Sequence, residues 1–211
     1  MAKQKEGVYD QVLMFARQEF SEKGYQAASL RTIAERAGTS TSSIYTRFQD
    51  KAGLYHALVS PSAQGLLNWF KKSHEDFSRL SASTQSETAY TCGGEKFVCL
   101  VDYIYDHFED FRLIICCSEG TEYEDYIHRL IAIEMDYDLQ FAQAIGSDAI
   151  SSGRLTKELM HMLNSAFYNG IFEIVRHNMT RAQAQIYVAQ IRRFFICGWK
   201  DIYEGGQGHD K

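Results

Sequence analysis

Two groups of residues in this sequence carry chemistry at suggestive spacing. The first is a run of small hydroxyls followed by cations: Ser40, Thr41, Ser42 and Ser43, then Thr46 and Arg47 one turn on, then Lys51. At the start of a helix, unbonded backbone N–H groups and the helix dipole attract an anion, and short side chains let a phosphodiester strand come close. Ser40, Thr41 and Ser42 are therefore candidates to anchor a phosphate. An arginine such as Arg47 can pair through two N–H groups with the major-groove edge of guanine. The second group is a pair of carboxylates, Glu134 and Asp138, one turn apart. The register Ile127, Ile131, Glu134, Asp138, Phe141, Ile145 puts both acids on an otherwise apolar stripe, where they favour a cationic ligand. The competing register Tyr126, Leu130, Ile133, Tyr137, Phe141, Ala144 is wholly apolar and leaves both acids near solvent.

Pairs that look catalytic come without a supporting motif. His107 with Glu109 and Asp110, or Cys116 with His128, offer acid/base or thiol/imidazole chemistry, but the chain has no GxSxG, Walker loop, HExxH or dinucleotide fingerprint. No catalytic residue is assigned, and an enzyme stands as the main rival class. Cys92, Cys99, Cys116, Cys117 and Cys197 form an odd set without CxxC or Cys/His ligand spacing, which suits reduced thiols. Neither a structural metal nor a cofactor is expected. Cys116 and Cys117 diverge on a helix and read as small hydrophobes rather than a redox pair. Glu119, Glu122, Glu124 and Asp125 read as a solvated helix start rather than a metal cage.

The elements that must position these residues are helical, since a single proline, Pro61, leaves long stretches uninterrupted. Tyr9, Val12, Leu13, Ala16 and Phe20 mark an amphipathic helix from Val8 to Lys23, stopped by Gly24. Ser29 caps a short helix, Leu30 to Ala37, which Gly38 ends, and Ser40 caps another, Thr41 to Phe48, with Ile44 and Phe48 facing inward. Asp50 caps a fourth helix that opens with Lys51. Pro61 either kinks it on the way to about Arg79 or starts a new one. Residues 81–94 read as a linker. Helices then follow at Glu95 to Phe108, Phe111 to Cys117 and Glu122 to Ile145, a turn-rich break at 146–153, and helices at Thr156 to His177 and Thr180 to Tyr203.

The 211 residues have a net charge of -5, which argues against a generic nucleic-acid binder, but the charge is uneven. Residues 1–58 hold eight Lys/Arg against six Asp/Glu, whereas the remainder holds fourteen against twenty-one. A basic head precedes an acidic body. No stretch approaches the roughly 18 uncharged apolar residues of a membrane span, and Met1 to Gly7 lacks the apolar core of a secretory signal, so no membrane contact and a cytoplasmic location are expected.

The segment from Gly24 to Leu54, GYQAASLRTIAERAGTSTSSIYTRFQDKAGL, closely resembles the DNA-binding head of the tetracycline-repressor (TetR) family of bacterial regulators. Gly24-Tyr25, Ile33-Ala34, Ala37-Gly38, Ser40, Ile44-Tyr45, Phe48, Lys51 and Leu54 all fall in place without a gap, with departures at Ala28, Thr39 and Ser42. A short helix, a glycine turn and a second helix with a polar tip suit a helix-turn-helix whose second helix enters the major groove. The resemblance implies that Ser43, Thr46 and Arg47 face the groove, that Tyr45 bonds a phosphate and that Lys51 pairs with another. Ser29 and Ser40, as caps, complete the candidate DNA contacts with Thr41 and Ser42.

The expected fold is all-α, with about nine helices. An N-terminal three-helix helix-turn-helix domain occupies residues 1–55, and a helical ligand-binding and dimerisation domain occupies residues 56–211. The resemblance implies a dimer bundle built from the last two helices, and the sequence supplies surplus apolar stripes there: Leu163, Phe167 and Gly170 on one, Ile191, Phe195, Gly198 and Trp199 on the other. Two heads about one DNA turn apart would read a pseudo-palindromic operator as a homodimer. For an effector pocket the candidates are Tyr103, His107, Cys116, Glu134, Tyr137, Asp138, Phe141 and Tyr168, a set that suits an apolar or cationic small molecule and also suits an ordinary core. Together these readings give a transcriptional repressor controlled by a small molecule. A helical enzyme or a protein-binding scaffold with a vestigial helix-turn-helix is the alternative.

Overall fold

Hydroxyl caps fix where many of the helices begin. Ser29, Ser40, Ser81 and Thr156 each accept the backbone N–H three residues on, and Thr180 forms a full capping box with Gln183. The computed structural model describes residues 2–90 and 93–205, with the side chains of 7–90 and 94–205. The described residues form ten α-helices and no strand: α1 Ala2–Ala27, α2 Leu30–Arg36, α3 Thr41–Phe48, α4 Lys51–Ser78, α5 Ala82–Thr88, α6 Gly93–Asp106, α7 Phe108–Cys116, α8 Tyr126–Ala144, α9 Lys157–Arg176 and α10 Arg181–Glu204. Among them no helix is long and apolar enough to cross a membrane.

Most starts and stops follow the sequence expectation, with two corrections and one open alternative resolved. The linker expected over 81–94 contains α5 and the first residues of α6. Polar as it is, α5 buries Gln85, whose amide donates to the Ser78 and Leu80 carbonyls at the end of α4, so a side chain satisfies acceptors that the helix end leaves open. Cys92 lies outside the described residues. The helix expected from Glu122 begins instead at Tyr126: the Thr121 hydroxyl bonds the Ser118 carbonyl, and Glu124 folds back to the Gly120 N–H, which keeps 118–125 in turns. Finally, α4 runs unbroken through Pro61, which therefore does not start a new helix.

The chain divides into two compact units: one built from the chain up to Gly65 with His107–Tyr126, the other from Leu66–Asp106 with the chain from Ile127 onward. The functional boundary expected at residue 55 falls inside α4.

In the first unit, α1 packs on α2 and α7, and α2 on α3. Its core gathers Phe20, Ile33, Ile44, Leu54, Tyr55 and Phe111. Phe20 and Tyr55 meet edge to face, as do Tyr25 and Tyr55. Glu19 is 1% exposed and accepts from the Lys23 ammonium at 2.9 Å and the Ser29 N–H at 3.1 Å. Burial works to raise its carboxyl, yet these bonds hold it below its ordinary range, so a carboxylate ties α1 to the start of α2. Asp110 is likewise committed, accepting from Arg17 and from the Ser62 hydroxyl.

In the second unit, α10 packs on α6 and α9. Leu66, Phe70, Val101, Ile104, Leu130, Ile131, Ile171 and Phe172 are buried, and Ala142, Ala149, Leu155, Met160 and Tyr203 form a further cluster. Arg181 ties the start of α10 to α6 through Asp106 and Asp102. The Tyr105 hydroxyl donates to the Met179 carbonyl at 2.6 Å.

Candidate nucleic-acid interface and ligand cavity

A rigid base holds α3. Ile44 and Phe48 are buried, while Ser42, Ser43, Tyr45, Thr46 and Arg47 are exposed, so the expected inward and outward faces are those of the structure. Between α2 and α3 the chain turns at Gly38, whose φ of +63° favours a residue without Cβ. The Ser40 hydroxyl accepts from the Ser43 N–H at 3.1 Å and lies 3.0 Å from the Ser43 hydroxyl, and Thr41 stands half-exposed beside it. The Thr46 hydroxyl donates to the Ser42 carbonyl at 2.8 Å, which leaves its lone pairs outward. The Arg47 guanidinium rests on the Tyr9 ring, 3.8 Å from its centroid, and Tyr9 in turn stacks on Phe48. Arginine therefore sits at the rim of the polar face on an aromatic support.

Two expected contacts have internal partners. Ser29 caps α2, and its own N–H bonds Glu19. The Lys51 ammonium donates to the Gln26 carbonyl at 2.9 Å and the Ala28 carbonyl at 3.3 Å, over the Tyr25 ring. It thereby closes the link between α1 and α2, leaving one of its three donors. Sequence reasoning missed Gly53. A Cβ there would lie 1.9 Å from the Phe48 carbonyl oxygen, so the start of α4 approaches the end of α3 as only glycine allows. Asp50 caps this turn by accepting from the Gly53 N–H at 2.7 Å.

The second unit holds a partly open cavity of about 680 Å³. Of the expected pocket residues, Glu134, Tyr137, Asp138 and Phe141 line it, and the Tyr168 hydroxyl bonds Glu134 at 2.6 Å. Tyr103 does not line it, and His107 and Cys116 belong to the other unit. The register that places both acids inward is therefore the structural one, and Tyr137 and Phe141 widen the same face. The walls are rich in aromatic side chains, among them Trp69, Phe77, Phe97, Phe195 and Trp199.

The acid pair has partners that sequence reasoning missed. Glu134 meets His74 Nε2 at 2.9 Å, Lys96 Nζ lies 2.9 Å from the same nitrogen, and His74 stacks on Tyr137. Asn164 donates to Asp138 at 2.7 Å. Burial works to raise the Glu134 carboxyl, but the nearby His74 and Lys96 and the Tyr168 hydroxyl hold it below the ordinary range. Burial and then the Glu134 charge push Asp138 up, and burial pushes Lys96 down against the pull of both acids. A signal for these residues exists in the sequence. His74 follows Leu67 and Phe70, Lys96 precedes Leu100 and Ile104, and Asn164 follows Met160, each in register with a buried stripe.

The expected dimer residues fall into two sets. Phe167 is buried against Phe97, Tyr168 and Phe195 of its own chain. A Cβ on Gly170 would lie 2.5 Å from Ile191 Cδ1, so the close approach that this glycine allows is made within the chain, between α9 and α10. Leu163, Phe195, Gly198 and Trp199, by contrast, line a surface groove with Phe194, Cys197 and Ile202. Phe194 in this groove is 77% exposed, and Ile186 on α10 and Met162 on α9 are 62% and 59% exposed, apolar surface left uncovered by the subunit itself.

Comparison with known proteins matches both parts. Residues 13–58 fit the family model described as bacterial regulatory proteins, tetR family. The HTH-type transcriptional activator FasR of Mycolicibacterium smegmatis is 29% identical over 131 residues, 62% of this chain and 56% of that protein. The match thus spans little more than half the length of that relative. Among solved structures, one assigned as a TetR-family transcriptional regulator of Mesorhizobium loti superposes with a TM-score of 0.55 at 16% identity, covering 90% of this chain and 95% of that one. The TetR-family regulator PfmR of Thermus thermophilus gives 0.50 at 14% identity, covering 94% and 100%. Residues 13–58 are therefore a tetR-family DNA-binding head, and the helical fold of the chain is shared with solved structures assigned to that family.

Proposed function

We propose that this regulator is a cytoplasmic homodimeric repressor that grips a pseudo-palindromic operator with α3 of each subunit and changes its grip when a small molecule fills the cavity. The observation that carries the reading is the exposed run Ser42, Ser43, Tyr45, Thr46, Arg47 on a helix anchored by Ile44 and Phe48. Ser40, Thr41 and Ser42 hold the phosphate strand at the helix start, Ser43, Thr46 and Arg47 meet base edges, and Tyr45 and Lys51 steady the flanks. The 680 Å³ cavity has the size and apolar walls of a small-molecule site, which supports effector control. A dimer seated over a promoter blocks transcription by occupancy alone. Activation is the second reading, favoured by the name of the FasR relative. A reporter placed behind the bound sequence separates the two: repression lowers its output and activation raises it.

Operator binding by two single variants tests the division of labour on the head. Arg47→Ala is expected to weaken specific binding by ~1–3 kcal/mol and to relax one base position. Lys51→Ala is expected to weaken binding to every duplex alike and to lower the salt slope by about 1. Fluorescence anisotropy on matched and single-mismatch duplexes across salt reads both. Identical behaviour of the two variants would refute the assignment of reader and anchor, and binding insensitive to salt would refute DNA binding through phosphates.

A further inference from the structure

On the cavity face of α10, Arg192, Phe195, Ile196, Trp199 and Tyr203 recur at i, i+3, i+4, i+7 and i+11. The stripe has a cation at one end, apolar surface in the middle and a phenol at the other end, roughly 16 Å along the helix axis. The cavity is therefore polar at its ends and apolar between.

Its two cations are not equivalent. Lys96 sits in the field of Glu134 and Asp138, contacts His74 and lies over the Phe70 ring. Among the described residues no carboxylate acts on Arg192, and burial alone moves its titration, downward. Its Nη2 donates to the Tyr90 carbonyl at 3.3 Å, the Phe97 ring lies 5.9 Å away, and its Nε is buried without an acceptor. The Tyr90 hydroxyl, on the same lining, is also buried without a partner. Buried donors left without acceptors are costly, and a half-buried cation without a counter-charge adds to that cost. Both requirements are met at once by a ligand whose charged end carries acceptor oxygens.

We propose that the cavity takes an elongated amphipathic anion, with a carboxylate or chemically similar head on Arg192 and Tyr90 and an apolar chain along Phe195, Ile196 and Trp199. The acid pair does not oppose this, because Glu134 is answered by His74, Lys96 and Tyr168, and Asp138 by Asn164. The proposal rests on the reading that the cavity is the effector site.

Three probes with one chain and different heads test it: dodecanoate, dodecan-1-ol and dodecylammonium, titrated calorimetrically below their micellar concentrations into the intact protein. Dodecanoate should bind most tightly, lose on the order of tenfold or more in affinity in Arg192→Gln, and recover in part in Arg192→Lys, while dodecan-1-ol binds both proteins alike. Equal losses for all three heads would reduce Arg192 to a wall residue and overturn the proposal, as would a preference for the ammonium or no binding of dodecanoate. If Arg192→Gln fails to fold by circular dichroism, Tyr90→Phe gives the same contrast. Dodecanoate bound in an Arg192-dependent way with operator affinity unchanged would uphold the ligand class and refute effector control instead.

Discussion

Phe194→Asp is expected to leave the protein monomeric and to lower operator affinity by about a hundredfold or more, the loss that follows when two linked heads become two separate ones. Phe194 is 77% exposed beside a groove lined by Leu163, Gly198, Trp199 and Ile202, so the substitution removes nothing from the subunit core. In a dimer built on this surface it buries an unpaired carboxylate, which association cannot tolerate. Sedimentation velocity and operator titration on one preparation check both halves. A variant that stays dimeric moves the interface away from α10. A monomer with unchanged operator affinity breaks the link between pairing and recognition.

Gly53→Ala is expected to cost about 2 kcal/mol of stability, the strain of overpacking less the roughly 1 kcal/mol that alanine gains over glycine inside a helix. The new Cβ would stand 1.9 Å from the Phe48 carbonyl oxygen. That atom belongs to the backbone and cannot swing aside as a side-chain tip would, so α3 and α4 must part. Urea denaturation should show a lower midpoint with the slope unchanged. An equal or raised midpoint would mean that the junction yields freely and that the angle between these helices does not fix the polar face.

How far the sequence reveals this molecule depends on the range over which each feature is determined. The caps Ser29 and Ser40, the inward pair Ile44 and Phe48, and the break at Gly24, where α1 leaves helical geometry (φ +72°, ψ 168°) before its last residues, are local matters of spacing and hydrogen bonding. Helix α5 was hidden because its stabilisation is tertiary: Gln85 turns back to the end of α4, and nothing in a run of serines and threonines announces that. The stripes of α9 and α10 show that much apolar surface must be covered, but not by what. Phe167 and Gly170 meet their own chain, while Phe194, on the same apolar stripe as Ile191 and Gly198, is left outside. Cavity chemistry was half legible. Glu134 and Asp138 stood out as acids on an apolar stripe, whereas their partners His74, Lys96 and Asn164 lie on three other helices in the same kind of register.

The central claim, that this chain reads a two-fold symmetric DNA sequence through α3, is tested most directly by selecting bound duplexes from a random pool. Two-fold reading through α3 predicts one enriched motif made of two inverted half-sites whose centres lie about one helical turn, or a whole number of turns, apart. It further predicts that the Arg47→Ala protein selects the same motif with one position per half-site relaxed. An unenriched pool, or a single motif without two-fold symmetry, would contradict it.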